Sequence, residues 1–101
     1  MGSGAEYALS GWHIYMVRCA DGTLYTGVTT DLARRIAEHN GVKRGGARYT
    51  RCRRPVELVW YEAAETRALA CKREYALKGL SRQAKLKLVE GMAVSGLQRY
   101  G

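Results

Sequence analysis

Two short apolar runs, Trp12 to Arg18 and Thr23 to Val28, stand close together with Ala20-Asp21-Gly22 between them. Runs this short, broken by a glycine that accepts positive φ, read as the two strands of a hairpin. The length of the loop decides which side chains share a surface. A two-residue Asp21-Gly22 loop would set Tyr15 and Tyr25 on opposite faces, because side chains alternate along a strand. A three-residue loop, Ala20 to Gly22, pairs Cys19 with Thr23 and brings both tyrosines to one face as diagonal neighbours. That second register is the expected one.

Helices follow at once. Thr29, Thr30 and Asp31 supply N-cap candidates for a helix to about His39, ended by Asn40-Gly41. Centring its buried stripe on Leu32 places Ile36 and His39 close to the stripe and Arg35 at its edge, with Arg34 and Glu38 pointing away. Pro55 to Glu62 forms a third strand, with Pro55 first, where its missing N–H does least harm. Thr66 to about Leu77 forms a second long helix stopped by Gly79. Ser81 caps a shorter helix to Val89, which Gly91 ends. The fold class is therefore α+β, a small three-stranded antiparallel sheet flanked by helices. Within 101 residues this is one domain, residues 11–90, between a Gly/Ser/Ala-rich flexible segment at 1–10 and a tail at 91–101.

Charge narrows the partner. Seventeen Lys+Arg against nine Asp+Glu leave +8, which favours a polyanion. Nucleic acid fits better than a membrane: no basic helix rich in Trp and Leu stands out, and no apolar run nears the roughly 20 residues of a bilayer span. Lys43, Arg44, Arg48, Arg51, Arg53 and Arg54 crowd between Gly41 and Arg54 with no acid among them. These six, with Tyr49, are the candidate nucleic-acid-binding residues. Tyr49 can stack on an unpaired base or simply anchor its loop. Three cysteines without a CxxC point to reduced thiols and no zinc site; with no signal-peptide pattern, the expected location is cytoplasmic. No obligate protein partner is inferred.

Taken singly, each polar residue that could do chemistry has a structural explanation. Arg35 can pack its stem and snorkel its head. His39 can be a satisfied core histidine. Seven Tyr and no Phe mean that tyrosine does phenylalanine's core work, as expected of Tyr7, Tyr61, Tyr75 and Tyr100. Glu74 can pair with Lys78 one turn on.

Jointly they form a pattern. Trp12-His13-Ile14-Tyr15, Gly22-Thr23-Leu24-Tyr25-Thr26-Gly27, Asp31 to Asn40, Ala47-Arg48-Tyr49-Thr50, Arg54 to Leu58 and Arg73 to Lys78 follow in fixed order. Over roughly Gly11 to Val89 the chain resembles the small, stand-alone single-domain bacterial branch of the GIY-YIG nuclease superfamily. It departs at His13, where the name motif has glycine, and at Thr26, where it has isoleucine. The resemblance implies phosphodiester hydrolysis with one divalent metal, Mg2+ with Mn2+ as a substitute, and the catalytic set Tyr15, Tyr25, Arg35, His39 and Glu74. In it Glu74 holds the metal, which as a hard ion is suited by one carboxylate with waters and phosphate oxygens. Arg35 offers its fork to phosphate. Tyr15 orients or deprotonates the water, provided that Arg35 and the metal lower its pKa from about 10; His39, with a reference value of about 6.5, is the rival base.

The expected activity is that of a metal-dependent DNA endonuclease favouring single-stranded, structured or branched DNA with weak sequence selectivity, since no base-reading module is visible. Its pathway (repair, recombination or DNA uptake) stays open. A nucleic-acid-binding module with the same fold and no turnover is the alternative. A domain whose basic face meets an acidic protein is a third.

Overall fold

The computed structural model describes residues 11–95, and side chains through Met92. The expected flexible segment at 1–10, with Tyr7, and the end of the expected tail, with Tyr100, lie outside the described residues. Strands β1 (Trp12–Cys19) and β2 (Leu24–Thr29) lead into helix α1 (Leu32–His39) and a four-residue helix α2 (Arg48–Arg51). Strand β3 (Val56–Ala64) and helices α3 (Arg67–Lys78) and α4 (Arg82–Ser95) follow. The sheet order is β2-β1-β3, with both pairings antiparallel, so β1 is the central strand. This is the expected fold class.

The hairpin takes the three-residue loop. Arg18 pairs with Leu24, the Cys19 amide donates to the Thr23 carbonyl at 2.8 Å, and Gly22 sits at φ 86°, where a Cβ would be strained. Tyr15 lies opposite Gly27 and Tyr25 opposite Val17. Both tyrosines therefore share a face of the sheet, the face with Leu32 and Val56 in its core cluster. Ile14 and Met16 point the other way, into a second cluster with Val59, Trp60, Ala70, Leu77 and Val89. A bulge in β3, where Met16 pairs with Trp60 and Val17 with Leu58, gives both Val59 and Trp60 to that second cluster.

The helix starts are capped as the sequence suggests. Asp31 accepts from the Arg34 amide at 3.0 Å, Thr66 from Leu69 at 3.1 Å and Ser81 from Ala84 at 3.1 Å. Four details differ. Pro55 stands just ahead of β3, which starts at Val56 and runs on to Ala64. The arginine-rich stretch is not all loop, since Arg48–Arg51 closes a helical turn. Gly91 does not end α4, which continues to Ser95. Met92 is the reason: it packs on the second cluster and its Sδ accepts from the Tyr61 amide at 3.4 Å, offsetting glycine's helix cost of about 1 kcal/mol. Tyr75 is not a core residue but 82% exposed, because the buried stripe of α3 runs through Ala70 and Leu77 on its opposite side. No helix of the described residues is long and apolar enough to cross a membrane.

Candidate active site

Alternation along β1 aims Tyr15 at α1, and the periodicity of α1 aims His39 back at it. Both side chains are fully buried. The Tyr15 hydroxyl lies 2.7 Å from His39 Nε2, and His39 Nδ1 lies 2.8 Å from Thr50 Oγ1 on α2. The protons along this line can be placed. Thr50 donates its hydroxyl hydrogen to the Ala47 carbonyl at 3.1 Å, so its oxygen accepts from Nδ1–H. Nε2 is then bare and accepts from Tyr15. The phenol oxygen also accepts from Arg35 Nε at 3.3 Å.

Burial sets the acidities. It pushes Tyr15 up to about 12, outweighing the nearby Arg35, which acts in the other direction. Arg35 thus does not by itself give Tyr15 the lowered pKa that a free base needs. Burial first, and Arg35 second, lowers His39 to about 4, so the imidazole is neutral at pH 7 and its Nε2 lone pair is available.

Arg35 is neither free nor snorkelling. Its Nη1 donates to Glu38 Oε1 at 2.7 Å and to the Gly45 carbonyl at 2.6 Å. Glu38 therefore does not point away as expected; it is drawn in beneath the loop by Arg35, with Arg34 at 3.6 Å on its outer side. Arg34 is exposed. Tyr25 meets the His39 ring edge-on at 5.3 Å between centroids and stacks with Tyr49 at 5.6 Å. Glu74 pairs with Lys78 at 3.0 Å, the plain helical contact, yet its charge also reaches Tyr15, where it opposes ionisation. His39 and Arg35 thus meet the Tyr15 hydroxyl directly, Tyr25 reaches it through the His39 ring, and Glu74 is felt there only as charge.

The basic residues divide. Arg53 is engaged: it pairs with Asp21 at 3.1 Å, donates to the Tyr49 carbonyl at 2.8 Å and lies 4.0 Å over the Tyr49 ring. Arg54 is engaged too, its Nε donating to the His39 carbonyl at 2.7 Å. Tyr49, held between these contacts and Tyr25, anchors its loop. Lys43, Arg44, Arg48 and Arg51 are exposed and form no ion pair among the described residues.

Several residues of the site do not stand out in the sequence. A Cβ at Gly27 would lie 2.5 Å from the Tyr15 hydroxyl, so only glycine lets the tyrosine lie across β2. A Cβ at Gly46 would run into the Glu38 carbonyl where the loop crosses the end of α1. Asn40 clips α1 to β3, donating to the Val56 carbonyl at 2.9 Å and accepting from its amide at 2.6 Å. Thr50 and Glu38 are hidden in the same way. They lie within stretches that carry the resemblance, but nothing in their own side chains marks a role.

Known proteins extend the picture. The profile described as the GIY-YIG catalytic domain matches residues 11–87. A UPF0213 protein of Desulfotalea psychrophila is 60% identical over 79 residues, covering 78% of this chain and 71% of its own. One from Staphylococcus saprophyticus is 52% identical over 77 residues, covering 76% and 92%. The solution NMR structure of a UPF0213 protein from Bacillus halodurans aligns with TM-score 0.50 at 44% identity, over 78% of this chain and 82% of that one. That of a protein from E. faecalis aligns with TM-score 0.55 at 35% identity, over 84% and 88%. The matched span holds the sheet, the helix that brings Arg35 and His39 to Tyr15 and the helix that carries Glu74, and on that footing the chain belongs to the GIY-YIG family of endonucleases and groups with its UPF0213 members.

Proposed function

We propose that the protein is a metal-dependent endonuclease hydrolysing phosphodiester bonds in DNA, with single-stranded or branched DNA favoured over intact duplex. The observation that carries this reading is the chain of hydrogen bonds from Thr50 through His39 and Tyr15 to Arg35. It is a proton path with a defined direction, ending on a phenol beside a guanidinium.

Neither group is a strong base alone. Tyr15 is protonated at neutral pH and His39 is a weak base in its buried place. Together they form a two-proton relay. As water attacks phosphorus, its proton passes to the Tyr15 oxygen while the Tyr15 proton passes to His39 Nε2. The P–O bond to water forms as the bond to the 3′ oxygen breaks. The leaving oxygen takes a proton from solvent, and the imidazolium returns its proton through Tyr15 to solvent after the products leave. The imidazolium appears only as negative charge builds on the phosphoryl oxygens, which also draws Arg35 toward them. Arg35 opposes protonation of His39 at rest, so its movement favours the relay. Tyr25 braces the imidazole edge.

The residues present suit a metal that brings most of its own shell. Glu74 is a single carboxylate whose charge is felt at Tyr15, and no group of three acidic, His or Cys side chains among the described residues could cage an ion. Mg2+, which keeps several waters and shares phosphate oxygens, fits this better than an ion needing a full protein cage. Held by Glu74, it would polarise the phosphate and neutralise the leaving oxygen. Lys43, Arg44, Arg48 and Arg51 offer charge to the backbone; a surface that grips phosphates selects by strandedness or shape rather than by sequence.

Labelled single-stranded, branched and duplex DNA incubated with Mg2+, Mn2+ or EDTA test the reading. Cleavage should require the ion and fall to background in Glu74→Gln, while that variant binds single strands at least as tightly because a like charge is gone. The relay also sets a pH profile. With His39 neutral above about pH 4, the rate should be level from about pH 6 to 9, whereas a pre-ionised tyrosine would make it climb about tenfold per unit. EDTA-resistant cleavage would overturn the metal. Tight binding with no cleavage of any substrate would leave a binding module.

A further inference from the structure

The loop joining α1 to α2 walls an open basin of about 510 Å³ on the outer side of the site. Lys43, Arg44, Arg51 and Arg54 converge on it, and no acidic side chain lines it. Gly41 and Gly45, at φ 82° and 112°, make the bends that hollow it out. None of the four cations forms an ion pair among the described residues. The fourth, Arg54, is fixed: its Nε is bound to the His39 carbonyl, and its guanidinium lies so close over Gly41 that a Cβ there would sit 2.8 Å from Nη1.

Gathering four positive groups around one hollow raises the potential inside it; the Glu38 carboxylate beneath Gly45 offsets this only in part, and a bound anion would relieve the rest. Guanidinium forks match phosphate oxygens two by two. The volume exceeds that of a bare phosphate and falls in the range of small-ligand clefts, about 300–1,000 Å³. A phosphate with its attached sugar meets both demands.

Two hydrogen bonds tie the basin to the chemistry. Arg54 holds the last carbonyl of α1, on His39 itself. From the other side, Arg35 Nη1 is fastened to the Gly45 carbonyl in the basin wall. An anion that draws the loop inward shifts that carbonyl and with it the anchor of Arg35.

We propose that the basin seats one nucleotide of the substrate strand, holding a phosphate adjacent to the scissile one, and that through Gly45 this seating sets Arg35. The inference rests on the nuclease reading and deepens it. Loop charges then do more than track the backbone: one phosphate position is singled out and coupled to the catalytic arginine.

Two measurements on the full chain test it. Titration with inorganic phosphate, followed by amide and arginine Nε–H resonances, should move Gly41, Gly45, Gly46 and Arg54 saturably, with Arg35 Nε following. A pentathymidylate strand should saturate the same signals at a lower concentration. Loss of the saturable shift in the Lys43→Ala/Arg44→Ala/Arg51→Ala variant, folded by circular dichroism, is the control. In the second measurement, single-stranded substrates carry one uncharged methylphosphonate at successive positions. One position beside the cut should raise KM about tenfold, the effect of one charge-assisted hydrogen bond, and the triple variant should lose that discrimination. Wild-type cleavage with no sensitive flanking position, or no saturable shift at the loop glycines, overturns the seat and leaves the nuclease standing. Saturable loop shifts without cleavage of any strand support an anion seat and overturn the nuclease reading instead.

Discussion

Thr50 contributes one hydroxyl, and its place in the chain of hydrogen bonds makes it decisive. By giving its hydrogen to Ala47 it forces His39 to carry its proton on Nδ1, and that leaves Nε2 open to Tyr15. Thr50→Val keeps the shape and removes the acceptor. The Nδ1–H would then be buried without a partner, at a cost of about 1–3 kcal/mol, and the imidazole would favour the other tautomer. Activity should fall roughly ten- to hundredfold, the usual effect of losing an orienting partner. Nitrogen-15 shifts of the His39 ring should report the tautomer change, and Thr50→Ser should restore both. A normal tautomer with normal rate in Thr50→Val would remove Thr50 from the mechanism. At this scale the sequence was partly legible. Tyr15, Tyr25, Arg35, His39 and Glu74 stood out only jointly, through the resemblance, since each taken singly had a structural explanation. Gly27, Thr50 and Glu38 did not, because what they do depends on which side chain arrives opposite them, and that is a property of tertiary packing.

Among the elements, α2 shows how one arginine-rich stretch serves two purposes. Arg53 locks the hairpin turn and the Tyr49 ring to each other, while Arg48 and Arg51 face water. Replacing Arg48 and Arg51 with alanine should leave thermal stability nearly unchanged, since solvated charges contribute little. Affinity for single-stranded DNA should drop, and the log–log salt slope should shrink by roughly 0.7 for each phosphate no longer neutralised. Arg53→Ala should instead lower stability by about 1 kcal/mol, through the exposed ion pair and the ring interaction together. Melting curves and salt titrations on the two variants separate the roles. The elements themselves were legible: Gly22 marked the turn, Asp31, Thr66 and Ser81 marked helix starts, and alternation set the faces. Errors fell where distant packing overrode a local signal. Gly91 reads as a stop until Met92 has a core to enter. The helical turn at Arg48–Arg51 has no hydrophobic periodicity to announce it; its Thr50 is buried by His39 rather than by an apolar stripe.

For the molecule as a whole, the buried Tyr15–His39 pair should set the pH range of stability. His39 titrates lower in the fold, at about 4, than in the unfolded chain. The unfolded state thus binds the extra proton below about pH 6.5, and stability is lost as pH falls from there toward 4. His13, buried and also lowered by burial, adds to the same acid limb. Tyr15 is raised to about 12, so the unfolded chain ionises first and stability is lost as pH rises above about 10. Thermal melts should therefore show a plateau between those limits. His39→Gln should flatten the acid limb without removing it, and Tyr15→Phe should flatten the alkaline one. An unchanged acid limb in His39→Gln would place the titration elsewhere.

The central strand has a consequence of its own. β1 turns Tyr15 toward the reaction and Ile14 and Met16 toward the apolar cluster beneath, one residue apart. The two sides still meet at α3, whose Ala70 and Leu77 enter the underside cluster while the same helix carries Glu74. Over evolutionary time the apolar underside can be rebuilt by exchange among similar volumes, provided that the seat of α3, and with it Glu74, is kept. Sequences of very different core can then share one chemistry. The same division limits novelty, because a single insertion in β1 would turn every residue beyond it to the opposite face.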